Sequence, residues 1–596
     1  MCGFVLSFSY NGNFTEGELD EARLACDSMY SRGPDSSGEL FLKEQKVFMG
    51  HRRLAIIDTG NSGRQPMSDS SGRLHLVFNG EIYNYKHLRR DLEKDGYIFR
   101  TSSDTEVILN LYLQKGEDMV RYLRGMFSFA LWDNDKGGVL LVRDPMGIKP
   151  LYYSDDGCTL RVASQVKALL KFKRINAREE PAGYVGFCLW GYVPEPYTLY
   201  KGIRSLSSGS VMWLDSRGIK REKKYFSIVN EFSDENISAT QEEILNCKDV
   251  LRSALSESVK YHLVSDVPVG VFLSSGLDSA TILALASETS ADLQSVTLGF
   301  DEYRKTENDE VPLASKISAA YSVPHNAVRV KGEEFGEDFE LFLGSMDQPT
   351  IDGINTYFVS KAAASLDLKV ALSGVGGDEL FAGYPSFTQI PSLVNGLGWA
   401  ESVPDLGRGF RWVSSKLLKY FTSPKYASLL EYGGSYGGAY MLRRGMFMPW
   451  ELPDILGSDV VKDGWGDLQT LSCLDESIKG INSSRLKVSS LELNWYMKCQ
   501  LLRDADWAGM AHSVEIRTPL VDAWLVRKLI PLLASQNPPT KKDMALTPLK
   551  ALPPEVLNRK KTGFTVPVRD WLMGDKQYVK ARGLRGWALQ LLNQNN

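Results

Sequence analysis

Cys2 follows the initiator methionine. A small second residue lets that methionine be removed, which leaves a cysteine with a free α-amino group. The amine has a reference pKa of about 8, so it can accept a proton at neutral pH. A thiol and its own α-amine then make a compact nucleophile–base pair, joined through a water. Chance also produces Met-Cys starts, and Cys2 is one thiol among seven. A second constellation lies downstream. A buried-strand run over 269–273 enters Ser274-Ser275-Gly276-Leu277-Asp278-Ser279 and then a helical pattern. Such a turn points backbone N–H groups at one spot, an anion site reinforced by the helix dipole. It is not a Walker loop, because GxxxxGK(S/T) is absent. An ordinary helix cap is the plainer alternative. A further strand ends in Ser373-Gly374-Val375-Gly376-Gly377-Asp378-Glu379. Glycines at the carboxyl end of a sheet strand suit close approach to a nucleotide.

The elements that must hold these residues fall into two halves. Short strand-like runs cover 4–8, 54–57, 74–78, 127–132 and 139–142, parted by turn signals such as Asn11-Gly12 and Asp156-Gly157. A helix is predicted over 104–114, with Ser103 or Asp104 as its cap. The polar stretch 227–243 lacks periodicity and reads as a linker. After it, strands over 269–273, 295–300 and 369–372 alternate with helices over 277–288 and 312–321. That alternation implies a parallel sheet covered by helices. From about Pro391 onward the pattern is mainly helical. The expected organisation is therefore a domain over 1–212, a linker over 213–245 and a second domain over 246–596.

Composition narrows the class. Of 596 residues, 43% are hydrophobic and 24% charged, which fits a soluble globular chain. The net charge is −4, from 69 basic and 73 acidic residues without a long basic stripe, which argues against nucleic acid as a partner. No apolar run reaches about 18 residues, so neither a membrane span nor a membrane partner is expected. The N-terminus lacks the basic and apolar regions of a signal peptide. The scattered cysteines form no CxxC pair and no zinc or haem pattern, and read as reduced thiols in the cytoplasm.

Five further motifs follow Cys2 in order: Ser31-Arg32-Gly33-Pro34-Asp35, Gly50-His51-Arg52-Arg53, Gln65-Pro66-Met67, Asn79-Gly80-Glu81-Ile82-Tyr83-Asn84 and Ser103-Asp104-Thr105-Glu106. The set resembles the class II glutamine amidotransferases over about residues 1–210. The resemblance implies an αββα N-terminal-nucleophile sandwich in which Cys2 attacks the glutamine amide. Attack builds negative charge on oxygen, which the Asn79 side-chain amide and the Gly80 N–H would stabilise as an oxyanion hole. Arg53 matches the arginine that holds glutamine's α-carboxylate, a task suited to a bidentate guanidinium. Glu81 and Asp104 match the anions that hold its α-ammonium. Ser31 departs from the usual histidine, a change expected to affect local packing rather than hydrolysis.

The loop at 274–279 resembles the SGGxDS pyrophosphate loop of N-type ATP pyrophosphatases. Ser275 replaces the first glycine, so the loop must relax or use the hydroxyl. Together with Ser373 to Tyr384, Leu501 to Asp506, Glu515 to Asp522 and Arg559-Lys560-Lys561-Thr562-Gly563-Phe564, it resembles asparagine synthetase over about residues 246–575. That implies an α/β ATP-pyrophosphatase domain with a helical C-terminal part. Leu273, Ser274, Ser275, Gly276, Asp278, Ser279, Leu298, Ser373 and Gly374 would line the ATP site. Asp278 and Asp378 would bind Mg²⁺, and Lys561 would stabilise departing pyrophosphate. Without the other motifs, Arg559 to Lys561 would read as a solvated basic run.

The combined order is that of the glutamine-hydrolysing asparagine synthetases. The implied cycle adenylates a carboxylate with ATP, frees ammonia from glutamine, and channels it to the acyl-adenylate. Aspartate is the leading acceptor. A sugar uronic acid is the alternative, because Val375 stands where many members carry an acidic residue. The segment around Asp352 is also negative, with Lys361 as the next cation. A non-catalytic regulatory relative would be expected to lose Cys2, Asp278 or Asp378, and all three are present. A homodimer follows by analogy alone.

Overall fold

A computed structural model of the chain describes residues 2–233, 239–559 and 584–594. Lys561 lies outside the described residues.

Period-two alternation builds the first half. In strand Cys2–Ser9, Phe4, Leu6 and Phe8 face a core between two sheets, while Val5 faces helix Glu16–Asp27 with Ala22, Ala25 and Met29. This strand pairs antiparallel with Val47–Arg53 on one side and Thr159–Ala163 on the other, inside a six-stranded sheet. A second six-stranded sheet pairs Leu74–Ile82 with Gly125–Asp133. Its Val77, Ala130 and Trp132 face the first sheet. Its Phe78, Phe129 and Leu131 share a core with Val107, Ile108 and Leu111 of helix Asp104–Lys115. The layers run helix, sheet, sheet, helix, as the sequence implied.

Two expectations need correction. The run 54–57 is no strand but a buried loop, and its backbone is used otherwise. Ala55 N donates to the Asp35 carboxylate, Ile57 O accepts from Arg53, and Ile56 O accepts from Asp266 N of the second half. Its apolar side chains announced burial, which a loop at a domain boundary also provides. The strands Ser210–Asp215 and Lys220–Lys224 form a hairpin within the second sheet, so residues 213–224 belong to that sheet and not to a linker. Beyond it, helices Ile228–Ser233 and Gln241–Leu245 interrupt the polar stretch.

The second half holds a five-stranded parallel sheet. Its order is His325–Val330, Leu293–Phe300, Val269–Phe272, Val370–Leu372, Glu515–Arg517. The last strand was not legible in the sequence, since three residues with two charges carry no strand pattern. Helices Leu277–Ser287, Val311–Ala320 and Ile354–Ala364 pack on the sheet.

Buried ion pairs join the halves. Arg32 binds Asp506 through two contacts of 2.7 and 3.1 Å. Arg124 Nε lies 2.8 Å from the Asp522 carboxylate, and its Nη1 lies 2.7 Å from Glu257. Asp522 also caps helix Ala523–Leu533. Removing one partner of a buried pair leaves an uncompensated charge and costs about 3–5 kcal/mol. Arg124→Met is therefore expected to lower stability by about that amount in urea unfolding, and Arg124→Met/Asp522→Asn to recover part of it.

Candidate active sites

Cys2 is buried at the start of its strand, directly opposite Arg53. Its backbone N donates to Asn79 Oδ1 at 3.0 Å. That bond fixes the amide's orientation and leaves Asn79 Nδ2 buried without a partner among the described residues. A buried donor left unsatisfied costs about 1–3 kcal/mol. Its place beside Cys2 suits a donor aimed at an oxygen that arrives with substrate. The next residue, Gly80, has φ +145°, and a Cβ there would lie 2.0 Å from Met126 O. Only glycine allows this strand to press against its neighbour at that point. The Cys2 carbonyl accepts from Arg32 Nε at 3.1 Å. Burial pushes the Cys2 thiol up, opposed by the Leu54 N–H and the Arg53 charge.

Arg53 is caged by carbonyls. Its guanidinium donates to Gly60 O at 2.8 Å, to Ile57 O at 3.1 Å and to Asp58 O. Asp104 opens helix Asp104–Lys115 behind its cap Ser103, and its Oδ2 accepts from Ile82 N at 2.9 Å. Burial pushes Asp104 up to about 6. Burial, then the Asp104 charge, pushes Glu81 well above the carboxylate range, and Glu81 Oε2 is buried without a partner among the described residues. Two buried carboxyls, one raised by the charge of the other, are a pocket in want of a cation.

The second site is a cavity of about 510 Å³ lined by Leu273, Ser274, Ser275, Gly276, Asp278, Ser279, Leu298, Ser373, Gly374 and Asp378. The sequence had singled out each of these ten, from loops about a hundred residues apart. The first loop is folded by its own hydroxyls: Ser279 Oγ bonds Ser274 Oγ at 2.8 Å and accepts from Ser274 N at 3.2 Å. No side chain caps helix Leu277–Ser287, so its first N–H groups are left to other acceptors. Ser275 turns its hydroxyl to Glu310 at 3.3 Å, which is how the loop absorbs the residue that replaced glycine. A Cβ on Gly374 would lie 2.9 Å from Asp278 Cβ, so the two loops touch.

Lys541 joins them. Its Nζ lies 2.6 Å from Asp278 Oδ2 and also bonds Asp378 Oδ1. No motif marks this lysine, and only the contact with both carboxylates reveals it. Among the described residues no three His, Cys, Asp or Glu side chains converge as a metal cage. Two carboxylates beside a phosphate loop nonetheless fit Mg²⁺, which takes one or two protein carboxylates and completes its shell with phosphate and water.

The rest of the cavity lining is largely acidic and aromatic. Asp352, Glu379, Asp504, Tyr384 and Tyr496 belong to it, together with Val375. Burial, then the Asp352 charge, pushes Asp504 up to about 7; burial, then Asp378, pushes Glu379 up to about 7. Arg444 stacks 3.8 Å from the Tyr496 ring and 4.5 Å from Tyr384, and pairs with Glu492. Lys361 is taken by Asp338 and does not line the cavity. The lining cations among the described residues are Lys541 and Arg559.

The strand Glu515–Arg517 touches both sites. Its Ile516 lines the second cavity. The charge of its Glu515 acts on Cys2, Glu81 and Asp104, and its Arg517 lies 5.4 Å over the Tyr83 ring.

Comparison with known proteins accords with both halves. A family model described as a glutamine amidotransferase domain matches residues 1–226, and one described as asparagine synthase matches residues 250–595. The chain is 32% identical to glutamine-hydrolysing asparagine synthetase 1 of Bacillus subtilis, covering 96% of this chain and 88% of that one. It is 32% identical to a putative glutamine-hydrolysing asparagine synthetase of Mycobacterium tuberculosis, covering 92% and 84%. It is 27% identical to asparagine synthetase 3 of B. subtilis, covering 96% and 89%. With an amidotransferase half and an ATP-using half matched in this order, the chain belongs to the asparagine synthase family of ATP-dependent carbon–nitrogen ligases that draw nitrogen from glutamine.

Proposed function

We propose that the chain makes asparagine from aspartate, with Cys2 as the nucleophile that releases ammonia from glutamine. The observation that carries the two-site reading is the strand Glu515–Arg517, which borders both chambers. The choice of aspartate rests on near full-length similarity to proteins named as asparagine synthetases.

The residues divide the work. Asp104 and Glu81 receive glutamine's ammonium, Arg53 receives its carboxylate, and Asn79 Nδ2 with Gly80 N holds the oxyanion. In the second chamber the loop 274–279 and the N-terminus of helix Leu277–Ser287 hold phosphate. Mg²⁺ held by Asp278 and Asp378 would offset the phosphate charge during adenylation. Lys541 neutralises these carboxylates and keeps a cation beside the leaving pyrophosphate. Amide formation releases a proton that Val375 cannot take. Glu379, pushed up to about 7 in the same cavity, has a pKa matched to that task.

A second acceptor class is favoured by the charge layout. The carboxyls of Asp352, Glu379 and Asp504 in the cavity lining suit a polyhydroxylated monocarboxylate such as a uronic acid better than a second carboxylate. ATP–pyrophosphate exchange decides between them: exchange with aspartate supports the proposal, and exchange with uronic acids alone overturns it.

Cys2→Ala is expected to abolish glutamine-dependent synthesis and to spare synthesis from added ammonia; survival of both would remove Cys2 from its assigned role. Lys541→Ala is expected to lower pyrophosphate exchange by about 10²-fold while glutaminase activity persists, a split that separates lost charge from lost folding. Glutamine binding to Cys2→Ala should also depend on pH. Asp104 binds an ammonium only when ionised, so calorimetric affinity should hold above pH 7 and fall as pH drops through about 6. Asp104→Asn should remove that inflection.

A further inference from the structure

Glu310 immediately precedes helix Val311–Ala320 and belongs to the lining of the second cavity, where it is 8% exposed. Its Oε1 accepts from the Ser275 hydroxyl of the loop 274–279 at 3.3 Å. The same oxygen lies 3.8 Å from Arg559 Nη1. Its Oε2 is buried without a partner among the described residues. Burial pushes this carboxyl above its ordinary range, opposed by the Arg559 charge and the Ser275 hydroxyl. A buried carboxylate bonded to a phosphate loop repels the anion that the loop is built to receive, unless a cation stands beside it.

The cation that stands there is held loosely. Lys541 lies 2.6 Å from Asp278 and bonds Asp378 as well. Arg559 instead spans 3.8 Å to Glu310, and its Nη2 reaches the Glu307 carbonyl at 3.4 Å. A guanidinium settled on a carboxylate makes two parallel bonds of about 2.7–2.9 Å, and Arg559 makes neither with Glu310. Its side chain is 18% exposed and lines the same cavity, so it is not part of a solvated basic run. One carboxylate therefore separates a loosely held arginine from the Ser275 hydroxyl.

We propose that Glu310 parks Arg559 beside the phosphate loop, and that the β- and γ-phosphates of ATP, and then pyrophosphate, compete with Glu310 for its guanidinium. This rests on reading the cavity as the ATP site. Glu310 is a positioning residue, since it acts through Arg559. The carboxylate stays on Ser275 while the guanidinium moves to oxygens that offer it the bidentate geometry. The exchange gives up a loose ion pair for a close one with a more highly charged anion. It also leaves Arg559 a partner to return to, which favours release of pyrophosphate.

Calorimetry of the full chain with MgATP, magnesium pyrophosphate and AMP tests it. Arg559→Ala should weaken pyrophosphate and ATP binding by about tenfold or more and leave AMP, which lacks the β- and γ-phosphates, unchanged. Glu310→Gln keeps an acceptor for Ser275 and removes the competing charge, so it should tighten pyrophosphate by about threefold or more. In the Arg559→Ala background that gain should vanish, because the two residues act as one unit. Glutaminase activity should stay unchanged in all three variants, which checks their folding. A gain that persists without Arg559 would reduce the effect to simple charge removal and overturn the proposal. Pyrophosphate binding that Glu310→Gln weakens or leaves unmoved would overturn it too. An unmodified chain that binds neither ATP nor pyrophosphate would overturn the ATP reading and the proposal with it.

Discussion

The structure turns on a strand of three residues. Glu515–Arg517 is the edge of the parallel sheet and pairs with Val370–Leu372, whose carboxyl end feeds the second phosphate loop. Side chains alternate across a strand, so Ile516 lines the second cavity while Glu515 and Arg517 share the other side. There they meet the segment Gly80 to Tyr83, whose residues border Cys2. One short strand thus contributes to the surroundings of both chambers. A shift of that strand would disturb both, which makes the domains one machine rather than two tethered ones.

Such a wall is held by charge rather than by area. Arg517 sits 2.6 Å from Glu515 with both fully buried, and Arg517 also donates to the carbonyls of His262 and Val264. Arg517 and Lys149 hold Glu515 below the usual carboxylate range against its burial. Arg32 adds a link that touches chemistry directly, because one guanidinium binds both the Cys2 carbonyl and Asp506. Buried pairs contribute little net stability beside well-packed apolar residues, but a broken one is costly. They therefore fix geometry, and here they fix the distance between the two sites.

Much of this was legible from residue order, for physical reasons. Apolar runs parted by turn signals declare strands such as Cys2–Ser9 and Leu74–Ile82, though not their pairing. Glycine- and serine-rich turns carry the family resemblance, which named ten of the residues lining the cavity beforehand. What stayed hidden has no local signature. Glu515–Arg517 is a strand only because Val370–Leu372 offers it an edge. Lys541 matters only because two distant carboxylates converge on it. The run 54–57 misled because apolar side chains report burial, not backbone pairing.

Buried carboxyls do opposite work in the two chambers. Beside Cys2, Asp104 is pushed up to about 6, low enough to stay mostly ionised at neutral pH and to attract a cation. In the second cavity, burial and neighbouring carboxylates push Asp504 and Glu379 up to about 7. Other carboxylates of the same cavity are paired instead: Lys541 bridges Asp278 and Asp378, and Arg559 lies 3.8 Å from Glu310. Pairing fixes those carboxylates in place, whereas Asp504 and Glu379 are poised to exchange protons, so one cavity lining combines fixed and titrating acids.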